Sequence, residues 1–250
     1  MNAWQSPLLN QIPWLTHATS TRDFGSLRYP NEGETEDPYV ENRAAFAESL
    51  GTDAAHLFLA GNEHGNVVSF VDGAMSPGRV PYCDGLLTSE PTIALALKSA
   101  DCLPIFFVDP TTRAVAISHA GWKGVTSGIA IETVRAFLGR GSRPQDLLVA
   151  IGPSIGPCHY SVHDERRDIM LPRTPFISED DFAPLAESGV WSLDLRAVVV
   201  RQLVLSGVFA ANIDASAPCT ACQTEWYFSY RLTRDGANQL LSVVCMRPDT

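Results

Sequence analysis

Two continuously apolar runs, Leu103 to Val108 and Ala114 to Ser118, dominate the middle of the chain, with Asp109-Pro110-Thr111-Thr112-Arg113 between them. Runs this short, parted by a strong turn signal, predict a β-hairpin. Further strands are predicted over 57–60 and 66–71, flanking the Gly61–Gly65 turn, and over 92–97, 147–151, 226–230 and 240–246. The acidic, turn-rich stretch 29–38 reads as a surface loop. A helix follows over 37–51, with Asp37 as N-cap, Pro38 in its first turn, an apolar stripe at Val40, Ala44, Ala47 and Leu50, and Gly51 as its stop. Gly121 to Gly124 leads into a helix that runs to about Leu138 and closes at Gly139. Helices are also predicted over 163–171 and over 194–206, the latter capped by Asp194 and stopped by Gly207. Strands crowd the middle with helices interspersed, which points to an α/β fold with mixed sheets rather than strict βαβ alternation.

Composition narrows the class. The chain has 250 residues, 45% hydrophobic and 18% charged, enough for one large domain over 1–250 with a sizeable core. Its net charge of -10, without a basic block, argues against nucleic acid or an anionic membrane as partner. An anionic substrate would need a local set of donors. No run reaches membrane-spanning length, and the N-terminus lacks the basic start and apolar core of a signal peptide. The six cysteines, Cys83, Cys102, Cys158, Cys219, Cys222 and Cys245, are too sparse for a disulfide framework. Reduced thiols and a cytoplasmic location are the expectation.

The candidate chemistry sits on the hairpin. If Asp109 pairs near Ala114, Cys102 and His119 fall at the same open end, nearly opposite one another. Such a thiol–imidazole pair suits metal binding or nucleophilic catalysis. His119 opens His-Ala-Gly-Trp-Lys-Gly, whose small residues let backbone approach a ligand, and the next element is a helix start that favours an anion. Asp101, beside Cys102, is a candidate to orient an imidazole or carry a proton. His64 lies in the turn Gly61-Asn62-Glu63-His64-Gly65, and nothing local connects it to the hairpin.

Longer motifs widen the reading. They are Thr21-Arg22, Glu41-Asn42-Arg43, His64-Gly65, Asp84-Gly85-Leu86, Ala100-Asp101-Cys102-Leu103-Pro104, His119 to Gly124, Ile151 to Cys158, Cys219-Thr220 and Ser229-Tyr230-Arg231. In this order and spacing the chain resembles the bacterial laccase-domain family, whose members are also called polyphenol oxidases, purine nucleoside phosphorylases or peptidoglycan editing factors. The resemblance spans nearly the whole chain. It implies a layered αββα arrangement with mixed sheets, and metal ligands at His64, Cys102 and His119. The chain departs from the family's usual pattern at Asn62-Glu63 and at Asp235-Gly236-Ala237-Asn238.

Two imidazoles and a thiolate leave a fourth position open on zinc, the catalytic pattern. The resemblance then implies phosphorolysis of adenosine, inosine or methylthioadenosine, and deamination of adenosine. Its small-molecule partners are purine nucleosides and phosphate, with Arg22, Asn42, Lys123 and Arg231 as candidate substrate or phosphate contacts. Copper is the alternative metal, implied by the laccase label. Multicopper oxidation needs clustered sites, however, and the chain has only 6 His, so this reading ranks second. A metal-free cysteine hydrolase or amidase using Cys102 and His119, acting on a cell-wall precursor, is another alternative, and a pure binding role is a third. His163-Asp164-Glu165 and Pro218-Cys219-x-x-Cys222 match the cytidine-deaminase letters. The long gap and the strand expected after Cys222 speak against that match, which leaves Cys219 and Cys222 as ordinary thiols.

Overall fold

Strands whose two faces feed different cores organise the molecule. The computed structural model describes residues 3–30 and 34–247. The first half of the chain holds β1 (Leu15–Thr19), α1 (Val40–Ser49), β2 (Leu57–Ala60), β3 (Val68–Phe70), β4 (Gly78–Val80), β5 (Gly85–Thr88), β6 (Ala94–Ser99), β7 (Leu103–Asp109) and β8 (Ala114–Ala120). There follow α2 (Trp122–Ser127), α3 (Ile129–Leu138), β9 (Leu148–Ile151), β10 (Ser161–His163), α4 (Asp164–Met170), β11 (Phe182–Pro184), β12 (Val190–Leu193), α5 (Leu195–Leu205), β13 (Ile213–Asp214), α6 (Tyr230–Thr233) and β14 (Leu240–Met246).

A five-stranded sheet in the order β1-β14-β6-β2-β4 lies against a six-stranded sheet in the order β13-β9-β7-β8-β5-β3. Each mixes parallel and antiparallel pairs. Phe106, Val108, Ile117, Leu95 and Leu97 fill the space between them. The alternate residues of β7, Leu103, Ile105 and Phe107, face the other way and pack with α3 and α5. Ala94 and Ala96 of β6 turn outward onto Phe46 of α1. The layers are therefore helix, sheet, sheet, helix, as expected. Both faces of β7 are covered, which is why it reads as an unbroken apolar run. No helix among the described residues is long and apolar enough to cross a membrane.

The hairpin has the expected register, with Asp109 opposite Ala114 and Pro104 opposite His119. Asp194 caps α5, accepting from the backbone of Arg196 and Ala197. Other elements differ from expectation. Asp37 does not cap α1; it accepts from the Tyr39 N–H and pairs with Arg43 instead. Residues 31–33 of the expected acidic loop lie outside the described residues. The long helix after Gly121 is broken at Gly128, whose φ of 80° lies in the left-handed region that glycine adopts freely. The strand expected over 226–230 is absent: its residues form turns and extended backbone leading into α6. A small third sheet, β10-β12-β11, was not anticipated, because its strands are short and only partly buried.

Candidate metal centre and adjoining cavity

The hairpin's open end delivers Cys102, one residue before β7, and His119 near the end of β8. The turn after β2 supplies His64. The ligand atoms of His64, Cys102 and His119 all lie within 4.8 Å of one another. The two imidazole rings stand edge to face, 4.8 Å apart at an interplanar angle of 83°. Thiolate and imidazole donors suit zinc or copper, and this set fits one ion with a direction left open.

The backbone is constrained where it serves this cluster. His64 has φ 63° and Asp101 φ 91°, both in the region L-residues rarely adopt. A Cβ on Gly121 would come within 2.9 Å of His64 Cδ2 and 3.1 Å of Cys102 Sγ, so only glycine lets this segment pass the donors.

Asp84 fixes the arrangement. Its Oδ1 lies 3.0 Å from His119 Nδ1, and its two oxygens accept the backbone N–H groups of His64 and Gly65 at 2.8 and 2.7 Å. Asp84 at Nδ1 leaves His119 Nε2 for the cluster. Burial would raise the Asp84 carboxyl, but hydrogen bonds from His119, Gly65 and His64 hold it below the usual carboxylate range. Burial also pushes the Cys102 thiol up; the charge and hydrogen bond of His119, reinforced by His64, outweigh it and bring it down to about 6. His119 is pulled down by burial and pushed up by Cys102 and Asp84, to about 9. The sulfur is thus disposed to be a thiolate, the form that binds metal or attacks carbon.

Asp101 does not orient an imidazole, contrary to one sequence expectation. Its oxygens accept from Thr220 Oγ1 and from the Arg231 backbone N–H, both at 2.6 Å. It faces a cavity of about 360 Å³ whose wall also carries His64 and Cys102. Lys123, Arg166, Arg231 and Arg234 bring positive charge to this space, and Trp122, Tyr160 and Tyr230 bring aromatic surface. Of the candidate substrate contacts, Lys123 and Arg231 are here. Arg22 and Asn42 are not: Arg22 donates to the Thr224 carbonyl at 2.7 Å, and Asn42 to the Ser26 carbonyl at 2.9 Å.

Sequence reasoning missed Asp84, Tyr160, Arg166 and Arg234 as parts of this site. Asp84 stood within a resembling motif, but its partner His119 is 35 positions away and no periodicity links them. Arg166-Arg167 in α4 reads as a solvated helix face.

A family model described as multi-copper polyphenol oxidoreductase laccase matches residues 16–247. The chain belongs to that family. This laccase-family chain is 35% identical over 227 residues to purine nucleoside phosphorylase YlmD of Geobacillus stearothermophilus, covering 87% of the chain and 82% of the relative. It is 31% identical to adenosine deaminase RL5 from an unknown prokaryotic organism, over 77% of the chain and 76% of the relative. The crystal structure of Geobacillus stearothermophilus YlmD shares its fold with a TM-score of 0.86 at 31% identity, covering 97% of this chain and 94% of that one.

Proposed function

We propose that this chain is a metal-dependent enzyme of purine nucleosides, acting chiefly by phosphorolysis. The observation that carries the reading is the coincidence of the His64, Cys102 and His119 donors with a cation-lined, aromatic-walled cavity in a chain of net charge -10. Positive charge gathered here against the overall balance suits an anion such as phosphate, and flat aromatic faces suit a purine. The names of the relatives agree with this chemistry.

His64, Cys102 and His119 would hold a zinc ion, which when bound would supply Lewis-acid polarisation. The remaining work belongs to the chain's own groups. Arg166, Arg231 and Lys123 bind and orient phosphate, whose oxygen bonds to the ribose anomeric carbon as the glycosidic C–N bond breaks. The bonding electron pair leaves with the purine, which takes the proton that hydrogen phosphate gives up as it becomes the ribose ester. Asp101, fixed by Thr220 and Arg231, is the carboxylate in the cavity that can carry that proton. In the deamination branch, water adds to the purine six-position carbon and ammonia leaves.

The test is incubation with adenosine, inosine and methylthioadenosine, with and without phosphate, comparing wild type with Cys102→Ala. Free base and ribose phosphate formed only with phosphate, and lost in the variant, is the expected result. An inert wild type removes the substrate class, and an unimpaired variant removes the centre.

One observation favours a second reading. Cys102, His119 and Asp84 form a thiolate–imidazole–carboxylate chain that a metal-free cysteine hydrolase would also use. Active, metal-stripped protein that loses activity on covalent labelling of Cys102 identifies the hydrolase. Polyphenol oxidation stands behind both, resting on the family description alone.

A further inference from the structure

A second donor cluster lies beyond the first, in a part of the chain the proposed chemistry does not use. The loop after β9 brings Cys158 and His159 against the turn Cys219-Thr220-Ala221-Cys222, 60 or more positions away. His159 Nδ1 lies 3.4 Å from Cys158 Sγ, 3.4 Å from Cys222 Sγ and 3.9 Å from Cys219 Sγ. Cys158 and Cys222 sulfurs are 3.4 Å apart, and all these cysteines are free thiols. The donor atoms of all four side chains fall within 4.8 Å of one another.

We infer that Cys158, His159, Cys219 and Cys222 bind a zinc ion in a closed tetrahedral site that clamps the loop carrying Ile155 and Tyr160 of the cavity wall to the Cys219–Cys222 turn behind it. A zinc tetrahedron with Zn–S of about 2.3 Å and Zn–N of about 2.0 Å has edges of about 3.8 Å between sulfurs and about 3.5 Å between sulfur and nitrogen. The Cys158 and Cys222 contacts with His159, both 3.4 Å, match the sulfur–nitrogen edge. The 3.9 Å Cys219–His159 and 3.4 Å Cys158–Cys222 separations lie within about 0.4 Å of the ideal edges, a shift small side-chain rotations supply. Four protein donors leave no open coordination position, so the site is structural, unlike the three-donor set at His64.

Two further features fit a thiolate-bound cation. The Gly156 backbone N–H donates to Cys219 Sγ at 3.2 Å, a bond that steadies a charged sulfur. The half-buried Arg196 guanidinium crosses the base of the same loops, donating to neutral acceptors: Ser154 Oγ at 2.9 Å, the Pro218 carbonyl at 2.8 Å and the Ser154 and Ala217 carbonyls. Three thiolates around one divalent ion leave a net negative charge beside it, which that cation balances.

On binding, three Zn–S bonds and one Zn–N bond form, the thiol protons pass to water, and no electron moves. The clamp reaches the cavity through Thr220, which sits inside the Cys219–Cys222 turn and donates to Asp101, and through Ile155, whose N–H donates to the Asp101 carbonyl at 2.9 Å. The deaminase-like letters noted in the sequence are thus half engaged. Cys219 and Cys222 join Cys158 and His159, and His163 and Glu165 stay outside the cluster.

The experiment loads reduced protein with zinc, removes the excess, and measures metal per chain by mass spectrometry in wild type, Cys219→Ser/Cys222→Ser and His64→Ala. The double variant should hold one zinc fewer than wild type. His64→Ala alters an exposed residue far in sequence from this cluster, and should keep a zinc whose X-ray absorption shows three sulfur neighbours. That measurement decides the matter even if the double variant fails to fold. Equal zinc in double variant and wild type overturns the inference. So does a sulfur-poor shell in His64→Ala, or a Cys158–Cys222 disulfide in protein that takes up no second ion. Failure of nucleoside turnover with this zinc present leaves the inference intact and counts against the proposed function alone.

Discussion

Asp84 and His119 are tied twice. The His119 backbone N–H donates to the Asp84 carbonyl at 2.7 Å, and the imidazole Nδ1 meets the Asp84 carboxylate at 3.0 Å. Main chain and side chain of the two residues thus lock one ring orientation. The same carboxylate holds the turn that carries His64, so one buried acid positions both imidazoles.

Asp84→Asn should therefore weaken zinc binding and reduce nucleoside turnover, each by about 10- to 100-fold, the usual effect of removing a carboxylate behind a ligating histidine. Competition with a chromophoric chelator measures the first. Undiminished affinity would show that the ring holds its place without the acid.

Gly121→Ala should lose metal while keeping its fold. The added methyl would crowd His64 and Cys102, with closest approaches of 2.9 and 3.1 Å, and the nearest atoms it would meet all belong to these two donors. Zinc content and circular dichroism of the same sample separate the two effects. Full metal occupancy would mean the donors can give way.

Arg166→Ala should raise KM for phosphate about tenfold, equivalent to about 1.4 kcal/mol, with a smaller change in kcat. Arg22→Ala should leave KM for phosphate unchanged, because its guanidinium is engaged with Thr224 away from the cavity. Reversal of this pair would relocate the phosphate site.

His17 should make the fold sensitive to mild acid. It is 1% exposed, and burial lowers its pKa to about 4. Its Nε2 accepts the Ser6 N–H at 2.8 Å, which only the neutral ring can do. The unfolded chain binds the proton more tightly, so stability falls as pH drops from about 6.5 to about 4, by about 3 kcal/mol. The depressed carboxyls of Asp84, Asp109 and Asp214 add losses only at lower pH, as they protonate below their unfolded value of 3.8. Urea midpoints measured across that range should slope for wild type and flatten for His17→Asn. Parallel slopes would remove His17 as the cause.

The hairpin, its register and the Cys102–His119 pairing were legible in the chain, because strand pairing between neighbours follows from a turn and two apolar runs. The Asp194 cap was legible for the same reason: it is satisfied by residues two and three positions on. The break at Gly128 and the absent strand at 226–230 were not. A glycine inside an apolar pattern does not reveal its φ, and aromatic residues that look like strand here serve a loop.

What the sequence alone determined was local: which runs are apolar, where they turn, and which donors a short hairpin must bring together. Tertiary structure decided the rest. It brought His64, which the sequence reached only through the family resemblance, to that pair through Asp84; it added Arg166 and Arg234 to Lys123 and Arg231 around one space, and set Cys158 and His159 against Cys219 and Cys222. Contacts within a turn or hairpin are fixed by backbone geometry over a few residues. Contacts between distant loops depend on how two sheets stack, a balance of packing across the whole core that no local pattern encodes.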